Sequence, residues 1–235
     1  MSARQPDLPA RRHRGRRRAV AGIGVLVVLV VLGGVIVRLF VEGQHSAPPL
    51  SLPAGHTAAA LSPVSGTWHV AAGSVAGFRV PERALGAGSV VVGRTSAVTG
   101  SMIADGSTVS AAAFRVTLTA LKVDGKPQQQ LAASLTTGAH PVADVRLISP
   151  LALSPAFASG ATEHASARGL LTLNGVSRPV TIRLDARRDG AAIDVAGSIP
   201  VSFVIWHIAQ PAGFGWFGSL SDHGIAEFRL ILDLG

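Results

Sequence analysis

Few side chains in this 235-residue chain are spaced for covalent chemistry. Ser221, Asp222 and His223 carry the residue types of a hydrolytic relay. Consecutive residues of an extended run point to opposite sides, so by themselves they do not line up carboxylate, imidazole and hydroxyl. There is no G-x-S-x-G elbow and no H-E-x-x-H pair. His140 and Asp144 stand four apart with Pro141 breaking any helix between them, and His207 and His223 would meet only across a loop. Cysteine is absent, which excludes disulfides, thiol nucleophiles and Cys-ligated zinc. The pattern predicts no catalytic residue, no metal site and no cofactor.

What concentrates instead is apolar. Residues 206–217 read WHIAQPAGFGWF and hold Trp206, Phe214, Trp216 and Phe217 among glycines. Aromatic side chains in a Gly-rich loop are costly to order, so they belong at a buried or interfacial place. Three readings stay open: a lid or wall at the mouth of an apolar cavity, a membrane-touching tip, and a plug in one end of the domain.

The elements that would position such a site are strands. Thr67–Val70, Ser74–Val80, Ser89–Val98, Thr108–Leu121, Asp144–Ser149, Ala165–Leu173, Arg178–Ala186, Ala191–Gly197, Ile199–Trp206 and Ile225–Leu234 are short runs separated by turn signals. Alternation within them gives one apolar face: Phe78 and Val80; Phe114, Val116 and Leu118; Leu171 and Leu173; Val180 and Ile182; Phe203; Phe228 and Leu230. Asn174-Gly175 is a strong hairpin signal. Residues 126–140 are the best helical candidate, with Leu131 and Leu135 on one face. The arginines within or beside strands, Arg79, Arg115, Arg146 and Arg229, fall on the solvent face. Trp68 is read as a structural residue packing across the base of the domain. Antiparallel strands of this kind pack as a sandwich or close as a barrel, and periodicity does not choose between them. Nor does it separate a solid core from a ligand cavity lined by the same side chains.

The ends of the chain differ sharply in charge. Residues 1–41 hold eight Arg and one Asp; the rest hold thirteen basic and twelve acidic side chains. The high net charge of +8 therefore sits in a short tail. The domain has no excess charge for phosphates, and no nucleic-acid partner is expected. Residues 19–37 form an uncharged run of 19 residues, long enough as a helix (about 28 Å) to cross a bilayer. Six arginines between Arg11 and Arg18 precede it, and by the positive-inside rule the N-terminus is cytoplasmic and the remainder extracytoplasmic. The apolar run is longer than the core of a cleaved signal and lacks small residues after it, so an uncleaved signal anchor is expected. The expected organisation is a basic cytoplasmic tail (1–18), a transmembrane anchor with its flank (19–41), a Pro/Ala-rich extracytoplasmic linker (42–65) and a β domain (66–235). His45 and His56 fall in the linker and are read as solvated.

Four ordered segments of the β domain resemble the YceI-like family of lipocalin-like proteins. These are Thr67–Val70 leading to Ser74–Val80; Val92–Thr95 with Val98–Ser101; Ala167–Val180, the most specific, reading ARGLLTLNGVSRPV; and Ile199–Phe203 with Ser221–Phe228. The resemblance covers residues 65–235. It implies an all-β, antiparallel eight-stranded barrel with a long apolar channel, one or two short helices, and a helix-bearing insertion after the fourth strand. It also implies a long isoprenoid-like or other amphiphilic lipid as ligand. The family's usual Arg-Asp pair in the insertion is missing from Gly125–Leu131, and Thr136–Val142 replaces an aromatic-rich stretch. The function expected is a membrane-tethered, non-catalytic lipid-binding protein. The ligand would be held by the strand-face residues above together with Trp206, Phe214, Trp216 and Phe217. The alternative is a structural or protein-interaction barrel with a solid core.

Overall fold

The computed structural model describes residues 47–55, 64–84, 87–123, 126–127, 140–208 and 218–235. The expected transmembrane run, most of the helical candidate, and Phe214, Trp216 and Phe217 lie outside the described residues. Among those described, no helix is long and apolar enough to cross a membrane.

Eight bent strands form a closed antiparallel ring. They are β1 (Gly66–Val70 continued by Val75–Ala84), β2 (Ala87–Thr95 and Val98–Asp105), β3 (Thr108–Thr117, then Lys122–Val123) and β4 (Val142–Leu147 and Leu151–Ala152). There follow β5 (Glu163–Leu173), β6 (Val176–Asp189), β7 (Ala192–Ser202) and β8 (Gly218–Leu220 and His223–Leu234). Each strand pairs with the next in sequence. β8 then pairs with β1 along both of its segments, for example Trp68↔Leu234 and Phe78↔Ala226. The last strand meets the first, which resolves the choice between sandwich and barrel. Bends at 71–74, 96–97 and 148–150 let single strands run on in register while the sheet curls.

Local sequence explains the joints. Asn174 and Gly175 both have positive φ (51° and 75°), the turn that matches strand twist in a two-residue hairpin. The long strand expected over Thr108–Leu121 is interrupted: Leu118–Ala120 is a 3₁₀ turn that tucks Leu118 inward before Lys122–Val123 resumes pairing with β2. The two runs expected at Ala191–Gly197 and Ile199–Trp206 are one strand, β7, which stops at Ser202; residues 203–207 are a turn. Pro200 fits because β7 is an edge there: its pairing with β6 ends at Ser198, and only β8 remains beside it. The helical candidate begins as a two-residue strand, Lys126–Pro127; it follows the fourth expected run, Thr108–Leu121, and so lies between β3 and β4 of the ring. The helical structure described is limited to 3₁₀ turns at Leu118–Ala120 and Pro155–Ser159.

Residues 47–55, read from the sequence as part of a tether, lie along the outside of the barrel. Arg79 Nη1 donates to the Ala47 carbonyl at 2.6 Å, and Arg94 Nη2 donates to the Pro48 carbonyl. The Leu50 N–H donates to Glu227 Oε2 at 3.2 Å, and Arg187 Nη2 to the Pro53 carbonyl at 2.7 Å. Proline cannot donate, so this extended segment is held chiefly through its carbonyls. The outward-facing Glu227 is thereby buried to 4% exposure, with Arg94 Nη2 3.0 Å from its Oε1.

Candidate functional site

The barrel is hollow. A cavity of about 220 Å³ runs through its interior, lined by side chains from all eight strands. Asp144, Arg146 and Glu227 touch its wall, but they belong to outward positions. Asp144 pairs with Arg115 at 2.7 Å on the outer surface, Arg146 is exposed, and Glu227 is engaged by Arg94. The interior surface is therefore almost purely apolar. A space larger than the ~150 Å³ engineered apolar cavity that stays dry and takes benzene suits a hydrocarbon better than water.

Register explains why the centre is empty although bulky side chains point into it. Phe78 stands opposite Gly93, Phe114 opposite Gly100, and Phe228 opposite Gly197. At each glycine an added Cβ would collide with the phenyl ring, at 2.2, 2.8 and 2.4 Å respectively. Each ring folds down over the bare backbone of its neighbour, as aromatics do over glycines in sheets, and lies against the wall.

One end of the cavity is sealed. Trp68 and Leu232 have no exposure, Ile193 has 1% and Phe157 2%. The Trp68 indole donates to the Val64 carbonyl at 3.0 Å. Arg188 points inward at this base and donates to the Ala158 carbonyl of the 3₁₀ turn; burial lowers its pKa. The base role read for Trp68 is observed. Toward the other end, Leu118, Leu121, Phe203 and Ile208 line the wall, and Trp206 packs behind them with an unpartnered indole nitrogen.

Of the strand-face residues expected to line a cavity, Phe78, Val80, Phe114, Val116, Leu118, Leu171, Leu173, Ile182, Phe203, Phe228 and Leu230 all do. Val180 and Trp206 pack in the upper core without reaching the wall. Sequence reasoning missed the inward row of β7 (Ile193, Val195, Ile199 and Val201) and Val98 and Met102 of β2. The β7 alternation is there to be read, but Pro200 and Gly197 obscure it. Phe157 comes from a 3₁₀ turn with no periodicity to betray it.

The other candidates do not assemble. Ser221 Oγ and Asp222 Oδ1 both lie 2.8 Å from the same nitrogen, Nδ1 of His223, whereas a relay needs hydroxyl and carboxylate on opposite ring nitrogens. Asp222 is held below the usual carboxylate range by its hydrogen bond with His223. His140, His207 and His223 are exposed, and among the described residues no three metal-ligating side chains converge. Arg115 and Arg146 face solvent as expected; Arg79 faces outward too, but under residues 47–50.

The family model of the YceI-like domain matches residues 68–227. Among solved structures, the chain is similar to a polyisoprenoid binding domain from Saccharophagus degradans implicated in plant cell wall breakdown, with 14% identity and a TM-score of 0.57. That match covers 73% of this chain and 99% of the other. It is also similar to BcnA of Burkholderia cenocepacia, with 16% identity, a TM-score of 0.48, and coverage of 70% and 95%. No curated protein matches it in sequence.

Proposed function

Because this chain belongs to the YceI-like domain family, we propose that it is a non-catalytic binding protein for a long apolar, isoprenoid-like lipid. The single observation that carries this reading is the apolar cavity of about 220 Å³ inside the closed barrel. Withdrawing hydrocarbon from water is worth ~0.8 kcal/mol per CH₂, so a chain of several isoprene units needs no covalent step to be held. The description of the Saccharophagus neighbour as a polyisoprenoid binding domain supports the ligand class. The solid-core alternative is disfavoured, since the strand-face residues surround a void.

We place the domain outside the cytoplasm, tethered by residues 19–37, because six arginines between Arg11 and Arg18 precede that run and one, Arg38, follows it. The barrel would then take up, hold or present its lipid beside the membrane. The test is mass spectrometry of lipids that co-purify with the chain from cells. A stoichiometric long-chain species supports the reading, and lipid-free protein that takes up no added prenyl chain refutes it. Deleting residues 1–41 should release the barrel from membranes; full retention refutes the single anchor.

A further inference from the structure

The inward row of β1 runs Ala76, Phe78 and Val80 along the cavity wall, and its next member is Glu82. Register places Glu82 directly opposite Ser89 of β2 and Leu220 of β8. Directly paired residues share a face of the sheet, and Leu220 is itself part of the wall. Glu82 therefore points into the barrel beside the wall residue Leu220, just beyond the residues that line the void itself, and it is only 6% exposed. Its Oε2 accepts the Ser89 hydroxyl at 2.9 Å. Its Oε1 is buried with no hydrogen-bond partner. Acidic side chains are almost never so buried unless paired, and an unpaired buried acceptor is costly. Barrel closure does not need a carboxylate here, since apolar residues fill the preceding places of the same row.

We propose that Glu82, steadied by Ser89, is the polar subsite of the cavity and receives the hydrogen-bond-donating end of the ligand, a terminal hydroxyl being the simplest case. This rests on the cavity as the ligand site and adds the headgroup class. An ionised carboxylate only accepts hydrogen bonds, and the Ser89 hydroxyl already donates to Oε2. An O–H on the ligand would satisfy Oε1. A phosphate, pyrophosphate or carboxylate head would bring like charge against a buried carboxylate, where repulsion is weakly screened. The site thus favours a prenyl alcohol over its phosphorylated ester.

The test titrates the purified full chain with geranylgeraniol, with geranylgeranyl pyrophosphate and with the hydrocarbon of the same carbon skeleton. The wild-type chain should bind the alcohol at least ~10-fold more tightly than either, the value of one hydrogen bond to a charged acceptor. E82L should bring the alcohol down to the level of the hydrocarbon. The near-isosteric E82Q, which keeps the packing, should lose discrimination against the pyrophosphate and decides the matter if E82L does not fold. Pyrophosphate binding equal to the alcohol's, or an alcohol preference that survives E82L, overturns the subsite. Equal binding of all three probes refutes the subsite and leaves the cavity reading standing. Binding of none refutes the cavity reading, and the subsite with it.

Discussion

Phe78 of β1 stands directly opposite Gly93 of β2, and its ring occupies the place of the missing side chain. A methyl group on Gly93 would fall 2.2 Å from ring Cε1 and 2.5 Å from Cζ. The hollow depends on such pairs, because a phenyl ring laid on a glycine lines a cavity that it would otherwise fill.

G93A is therefore expected to swing the Phe78 ring into the void. The three nearest atoms to the new methyl group all belong to that ring, so the strands need not part. Lipid retained per mole of protein, read by mass spectrometry, should fall, with thermal stability changed by no more than about 1–2 kcal/mol. Undiminished retention would show that the ring does not control the space.

G77A acts on the same pair of strands with the opposite outcome. Its methyl group would meet a backbone atom, the Gly93 carbonyl oxygen, at 2.0 Å, and no rotamer relieves that. The β1–β2 ladder must open, and we expect a loss of ~2 kcal/mol or more in a denaturant titration. A variant as stable as wild type would contradict the close approach of these backbones.

F114R places a guanidinium in a wall with almost no polar group to meet it. Lipid retention should be abolished in protein that remains folded by circular dichroism. Occupancy should in turn protect the wild-type barrel. A void of this size costs on the order of 5 kcal/mol at ~24 cal/mol per Å³, so a saturating prenyl chain should raise Tm by several degrees. A chain that binds without raising Tm would not be filling this void.

Glu227 is buried beneath residues 47–50, where it meets Arg94, Arg79 at 3.9 Å, and the Leu50 N–H. Removing one partner of a buried pair strands the other, so E227A should cost ~3 kcal/mol and free the 47–55 segment. Limited proteolysis near Leu50 and Leu52 should accelerate in the variant. Unchanged cleavage would show that the carboxylate does not hold the segment.

Glu163 sets a small acid dependence. Hydrogen bonds from the Ser154 hydroxyl and then from its backbone N–H, the latter at 2.9 Å, keep its pKa below the usual carboxylate range. A depressed folded-state pKa gives stability that is present above the unfolded value and lost as pH falls through the folded value. The site is close to solvent, so the effect is ~0.5 kcal/mol or less. Urea titrations of E163Q and wild type should differ at pH 7 and converge below pH 3; a constant difference would assign the effect to something other than ionisation.

Much of this architecture is written in local pattern. Alternation in Phe114–Leu118 and Leu171–Leu173 named wall residues because a strand turns each second side chain to one face. Asn174-Gly175 named a hairpin because those residue types tolerate positive φ. The outward direction of Arg115 and the failure of Ser221, Asp222 and His223 to line up follow from the same periodicity, whereas the base role of Trp68 is read from its place at the opening of the domain. Such signals act between neighbours in the chain, so a one-dimensional reading reaches them.

Tertiary structure decided what depends on pairing across distance. Whether β8 would meet β1, and so close the sheet, rests on contacts between residues 68–79 and 225–234 that no local spacing reveals. Whether the interior would be solid or hollow turned on which phenyl stands across from which glycine, a matter of register. The inward aim of Glu82 and the burial of Glu227 under a distant proline-rich segment came from the same source. Sequence alone determined which faces are greasy; only the closed ring determined that those faces surround an empty space, because a void belongs to all eight strands and to no single one.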